Sequence, residues 1–212
     1  HSPVMIDSAG QRVHVGYVTD LITDMSLQWL KERDTSRPFC MMVHHKAPHR
    51  EWQPDAKHAT MYEGEEILEP ETFNDTYENR SAAAGAARMR MEDLQWKDLK
   101  ADVPSGLSPA EEKSWRYQRY IKDYLRVIAS VDDGVGRLLN HLEEEGIVDN
   151  TLVIYTSDQG FFLGDHGWFD KRFMYEESLR MPFVLRFPRE VKAGSTCDDM
   201  ILNVDFASLF LD

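Results

Sequence analysis

One stretch limits the possible folds more than any other. Between residues 117 and 145, Ile121, Tyr124, Leu125, Ile128, Val131, Val135, Leu138, Leu139 and Leu142 recur at three- and four-residue spacing. That period predicts an amphipathic helix of about eight turns. A helix of this length can bury its apolar stripe only against another layer of structure. Gly146 stands where a helix of this extent needs a residue tolerant of left-handed backbone. The turn "VDNT" follows, and then residues 151–156, "TLVIYT", a short apolar run of the kind that forms a buried strand.

The same alternation recurs along the chain. Residues 15–33 carry Val18, Leu21, Ile22, Met25, Leu27, Trp29 and Leu30 largely at helical spacing, and residues 34–38 break the pattern. Residues 39–43, "FCMMV", predict a buried strand with Cys40 as a small core hydrophobe. A loop, "HHKAPHREW", follows at 44–52. Residues 182–188, "PFVLRFP", predict a further strand, and 204–212 a helix or strand-to-helix turn. Residues 53–115 are polar and irregular, an excursion with short helices that either shapes a substrate pocket or is mobile. These elements predict an α/β domain, a mostly parallel sheet flanked by helices, extending over residues 1–212. Ligands of such sheets bind beyond the carboxyl ends of the strands, where both "HHKAPH" and "SDQG" fall.

The chain has 212 residues and a formal net charge of −13, from 24 basic and 37 acidic residues. That excess argues against nucleic acid as a partner, since a polyanion would be repelled over most of the surface. An anionic substrate would need cations gathered locally. Two cysteines define neither a disulfide framework nor a zinc site. No apolar run reaches the ~18 residues of a membrane-spanning helix. Both ends fall inside patterned sequence, so the chain reads as a fragment and the fold as incomplete; oligomeric state is open.

Chemistry concentrates after the 151–156 strand, in "SDQGFFLGDHGWFDKRFMYEE". Asp158 and Gln159 offer a carboxylate and an amide carbonyl, hard oxygen donors that suit Ca²⁺ or Mg²⁺ better than Zn²⁺. Ser157 and Asp158 equally suit a helix cap and turn. Lys171 is a solvated lysine or, beside a metal, a point charge for an anionic oxygen. His166 lies in a glycine-flanked loop on the same side. In "HHKAPH", strand alternation puts His44 and His45 on opposite faces, while His49, past the proline, is free to reach a site.

Together these pieces resemble the formylglycine-dependent (type I) sulfatases of the alkaline phosphatase superfamily. "IYTSDQGFFLGDHGWFDKRFMYEESLRMPFVLRFP" is similar to their C-terminal metal-and-sulfate motif, and "PFCMMVHHKAPH" to the strand-and-histidine segment upstream. The resemblance implies a sulfuric ester hydrolase acting on sulfated carbohydrate, with glycosaminoglycan sugars nearest in texture. It implies that Asp158 and Gln159 ligate Ca²⁺, with Mg²⁺ second. Lys171 and His49 are then catalytic, on the sulfate oxygens and the bridging oxygen, and His166 and Arg172 face the substrate. It further implies a secreted, periplasmic or lysosome-like location.

The family's nucleophile is a formylglycine made from a Cys or Ser with Pro at +2 and Arg at +4. Neither Cys40 nor Cys197 fits that pattern, so the resemblance is to the C-terminal part of the catalytic domain, inactive alone. Two other functions share the scaffold: a phosphodiesterase or phosphonate hydrolase of the same superfamily, and a non-catalytic glycan-binding relative. A lone Asp–Gln pair with a lysine downstream favours sulfate.

Overall fold

In the computed structural model, which describes residues 3–7 and 10–211, the chain opens with an antiparallel hairpin, β1 (Val4–Asp7) and β2 (Gly10–Val13). Helix α1 (Val18–Glu32) follows, within the span its periodicity predicts. The excursion holds two single-turn helices, α2 (Ala82–Gly85) and α3 (Trp96–Leu99). Helix α4 (Pro109–Glu144) is the long one. Strand β3 (Val153–Thr156), the short pair β4 (Phe162–Leu163) and β5 (Phe169–Asp170), helix α5 (Glu176–Leu179), strand β6 (Phe183–Arg186) and helix α6 (Phe206–Leu211) complete the order. Of the element expected at 204–212, Asp212 lies outside the described residues.

Helix α4 starts well before its apolar stripe does. Ser108 Oγ accepts from the Glu111 N–H, and the Glu111 carboxylate accepts from the Ser108 N–H at 2.8 Å. Pro109 fills the first turn, where its missing N–H costs nothing. At the far end Gly146 takes φ +67° and the Ile147 N–H reaches back to the Leu142 carbonyl at 3.0 Å, closing the helix as its position predicts. Helix α1 crosses α4 at Gly134, where an added Cβ would lie 2.6 Å from Thr23 Oγ1. The small buried Thr19 and Thr23 make that approach possible.

The helix-and-sheet class holds, but all three strand pairings among the described residues are antiparallel. Strand β6 returns beside β3, pairing Val153 with Arg186 and Thr156 with Phe183. A chain that comes back from a strand's own end runs antiparallel, while a parallel neighbour needs a crossover. Helix α4 lies in sequence between residues 39–43 and β3, where such a crossover would run. Residues 39–43 nonetheless carry no ladder, which corrects the strand expected there. Without a sheet around it, Cys40 is exposed and not a core residue. Met42 is exposed as well.

The excursion is a packing layer. It buries Phe73, Ala84, Met89, Met91, Leu94 and Leu99 against Tyr117, Tyr120, Ile121 and Val127 of α4. On the other side of that cluster stand Phe162, Trp168 and Phe169 from the β4–β5 segment, with Trp52. The two loops expected to carry chemistry are therefore rooted in one aromatic core. Among the described residues, no helix is long and apolar enough to cross a membrane.

Candidate functional site

The first half of the site is the loop at 44–53. The two adjacent histidines differ in burial. His44 is exposed, while His45 is half-buried with Nε2 3.2 Å from Thr23 Oγ1, and burial holds its pKa below the ordinary 6.5. Beyond them the backbone turns through cis peptide bonds at Ala47–Pro48 and Arg50–Glu51. His49 is exposed, and its Nδ1 lies 2.8 Å from the Arg50 carbonyl oxygen. A carbonyl can only accept, so Nδ1 carries the proton and Nε2 is the nitrogen open to a substrate.

Trp52 closes this loop. Its Nε1–H donates to the Pro48 carbonyl at 2.7 Å, and its ring is fully buried, edge-on to Tyr120 at 4.6 Å. The Arg50 guanidinium lies over the rings of Trp52 and Phe169 and grips the buried Asp98 carboxylate with two nitrogens. A cavity of about 380 Å³ opens beside them, lined in part by Tyr17, Lys46, His49, Arg50, Glu51 and Lys97.

The second half begins where β3 ends. Asp158 is exposed, and among the described residues its carboxylate accepts only a 3.3 Å contact from Ser157 Oγ. Its backbone carbonyl accepts from Asn203 Nδ2 at 2.9 Å. The amide nitrogen of Gln159 is buried without a hydrogen-bond partner among the described residues. Gly160 lies hard against the α5 turn. Its N–H donates to the Ser178 carbonyl at 3.0 Å, and an added Cβ would come within 2.2 Å of the Glu177 oxygen and 2.4 Å of the Arg180 oxygen. The glycine is there because only a backbone without a side chain fits.

Lys171 is half-buried, its Nζ 5.5 Å from the centroid of the Phe161 ring. Among the described residues no carboxylate pairs with it. Phe161 also meets Trp52 edge-on at 6.3 Å. One phenyl ring thus bridges the His49 loop to the Lys171 loop, three residues after Asp158.

Arg172 is tethered at its base, Nε 3.2 Å from the buried Asp170 carboxylate, with its side chain 69% exposed. His166 is placed otherwise than the sequence suggests. It is buried, with Nδ1 2.7 Å from Asp75 Oδ2 and Nε2 3.6 Å from Glu177 Oε1. Its N–H donates to Thr72 Oγ1, and its carbonyl accepts from the Tyr77 hydroxyl at 2.6 Å. Nδ1 is thus engaged inside the protein, with Glu177 facing Nε2 beyond hydrogen-bond distance, and His166 pins the excursion to the site loop. Backbone donation from Tyr77, with His166 and Arg80 adding to it, holds the Asp75 carboxyl down at about 2.

The donor chemistry of Asp158 and Gln159 fits a hard divalent cation, since neither side chain is claimed by a close internal partner. No group of three or more His, Cys, Asp or Glu side chains gathers into a metal site among the described residues. The pair can thus supply only part of the six to eight oxygens that Ca²⁺ takes. Arg50 and Asp98 were not legible as site residues. Arg50 is marked only by following His49, and Asp98 by nothing local, since it sits 48 residues away from its partner.

The family profile described as Sulfatase matches residues 5–212. The chain is 42% identical over 241 aligned residues to an N-acetylglucosamine-6-O-sulfatase of Bacteroides thetaiotaomicron, covering 94% of this chain and 43% of that protein. It is 28% identical to the N-acetylglucosamine-6-sulfatase of Homo sapiens, covering 96% of this chain and 34% of the relative. A solved structure described as bound to its substrate D-glucosamine-2-N,6-O-disulfate superposes with a TM-score of 0.96 at 41% identity, over 100% of this chain and 51% of that one. The chain therefore spans about half the length of its relatives, or less.

Proposed function

The chain belongs to the sulfatase family, within the alkaline phosphatase superfamily, and from that premise we propose that it forms part of the catalytic domain of a sulfuric ester hydrolase acting on a sulfated carbohydrate. The observation that carries this reading is Lys171. In a chain with 37 acidic and 24 basic residues, its ammonium lies 5.5 Å from the Phe161 ring centroid, and among the described residues no carboxylate pairs with it. A fixed, unpaired cation in an acidic protein calls for an anion from outside.

Hydrolysing a sulfate ester loads negative charge onto the sulfate oxygens and leaves an alkoxide that needs a proton. Lys171 answers the first need as a point charge on a non-bridging oxygen. His49 answers the second. As an imidazolium it keeps the Nδ1 proton on the Arg50 carbonyl and donates the Nε2 proton to the bridging oxygen. Asp158 and Gln159 would hold the divalent cation, Ca²⁺ in preference to Mg²⁺, which when bound adds positive charge against the same oxygens. The formylglycine that supplies the nucleophile in sulfatases would come from outside these residues. Arg172, tethered by Asp170, reaches toward the sugar, while His166 acts at one remove by pinning its loop.

The substrate this reading favours is a 6-O-sulfated glucosamine or N-acetylglucosamine, by likeness to a relative described as an N-acetylglucosamine-6-O-sulfatase and to a solved structure bound to D-glucosamine-2-N,6-O-disulfate. The same reading puts the protein where sulfated glycans are met, in a secreted, periplasmic or lysosome-like compartment. The test is inorganic sulfate release by the full-length gene product, with Ca²⁺ present, from 6-O-, 2-O- and N-sulfated sugars, beside turnover of a phosphonate monoester. Fastest release from the 6-O-sulfate supports the reading. Faster turnover of the phosphonate ester overturns it in favour of the other chemistry on this scaffold, and no turnover of any ester favours a glycan-binding relative.

A further inference from the structure

His49 is exposed and sits on a loop, yet a proton donor must be held to one tautomer and one reach. What fixes it lies in the excursion. The only hydrogen bond its ring makes among the described residues is Nδ1 to the Arg50 carbonyl oxygen at 2.8 Å. That carbonyl can hold the proton only if residue 50 is itself immobile. Its side chain is anchored two ways. The guanidinium lies 4.9 Å from the Phe169 ring centroid and 5.9 Å from that of Trp52. It also grips Asp98, with Nε 3.0 Å from Oδ1 and a terminal nitrogen on Oδ2.

Asp98 is fixed in turn. Its side chain is fully buried, and its Oδ2 also accepts the Gln95 N–H at 3.0 Å, capping the start of α3. Its backbone carbonyl accepts from Lys100 Nζ at 2.7 Å, and the same ammonium donates to the Trp52 carbonyl at 2.7 Å. One lysine and one arginine thus tie α3 to the loop from both sides.

We propose that Asp98 and Arg50 are positioning residues for His49: the two-pronged ion pair fixes the Arg50 carbonyl, which holds the Nδ1 proton and leaves Nε2 as the working nitrogen. Neither residue touches the substrate in this account. The excursion then sets the geometry of the proton donor. The inference rests on the reading of His49 as the donor to the bridging oxygen, but its geometric part can be measured separately.

The experiment is long-range proton–nitrogen NMR on the full-length gene product labelled with ¹⁵N-histidine, with the His49 signals assigned by loss in His49→Gln. In the wild type at alkaline pH, neutral His49 should show the pattern of the Nδ1–H tautomer. Asp98→Asn should move it toward the Nε2–H form. Asp98 is buried, so Arg50→Lys is the decisive variant: it keeps the charge, loses the two-pronged grip, and alters a side chain still 28% exposed. It should shift the tautomer while circular dichroism is unchanged. A folded Arg50→Lys variant with the wild-type tautomer pattern would overturn the proposal.

In the full-length enzyme, both variants should lower kcat about tenfold with KM within about twofold, and shift the pH profile. A control separates the two layers. If His49→Gln keeps full activity, the role given to His49 fails whatever the tautomer shows. If His49→Gln is inactive while Arg50→Lys matches wild type in kcat and tautomer, the positioning proposal fails alone.

Discussion

Trp52 and Phe161 meet edge-on with ring centroids 6.3 Å apart, and that contact joins the loop bearing His49 to the one bearing Lys171. Trp52 is fully buried and anchors its own loop through Pro48. Replacing it with alanine removes a large ring from the core and should cost about 3–5 kcal/mol in chemical denaturation. Trp52→Phe, which keeps an edge for Phe161, should cost clearly less. Equal costs for the two would show that the aromatic contact is not what holds the halves together.

Gly160 lies tight against α5 beside Asp158 and Gln159, the proposed cation ligands. A Cβ at this position would sit 2.2 Å and 2.4 Å from two backbone oxygens, which cannot yield as a flexible side chain can. Gly160→Ala should destabilise the chain by about 1–3 kcal/mol and displace Asp158 and Gln159. In the full-length enzyme the Ca²⁺ concentration for half-maximal activity should rise. Unchanged stability in a urea titration would contradict the packing described.

The Asp75–His166 pin has a definite pH signature. The Asp75 carboxyl lies at about 2 in the folded chain against an ordinary 3.8. A depressed carboxylate stabilises the fold above its unfolded pKa and loses that contribution as pH falls through the folded value. The contribution is therefore whole above pH 4 and fades between about 4 and 2. Asp75→Asn should lower the thermal midpoint at pH 6 and flatten its dependence on pH in that window. A variant as steeply acid-sensitive there as the wild type would place the titration elsewhere.

Asp158→Asn tests the cation. It keeps an oxygen donor but removes a charge, so apparent Ca²⁺ affinity of the full-length enzyme, read by Ca²⁺-dependent rise in thermal midpoint, should fall at least about tenfold. Affinity equal to wild type would leave Asp158 as a turn residue, the other role its position allows.

What the sequence made legible follows from how local the governing physics is. The stripe of α4 and its stop at Gly146 are local and were readable. The start of α4 lay in Ser108, Pro109 and Glu111, a capping box that an apolar stripe does not reveal. The strand at 39–43 and the burial of Cys40 failed because an apolar run becomes a strand only with partners, and none pairs with it here. Asp158, Gln159 and Lys171 could be named as candidates from residue chemistry near a strand end together with the resemblance to sulfatases. The engagement of His166 by Asp75 was not legible, since Asp75 is 91 residues distant. The excursion looked loose because its apolar residues have no period, although they pack one by one against α4.

The central claim is that Lys171 meets a sulfate group. The most direct measurement is kcat/KM for inorganic sulfate release from glucosamine 6-O-sulfate by the full-length gene product, wild type beside Lys171→Ala, with folding checked by circular dichroism. Losing a fixed charge that acts on the transferring group predicts a fall of about 10²–10³-fold in the variant. Sulfate release within twofold of wild type would contradict the account and return Lys171 to the surface.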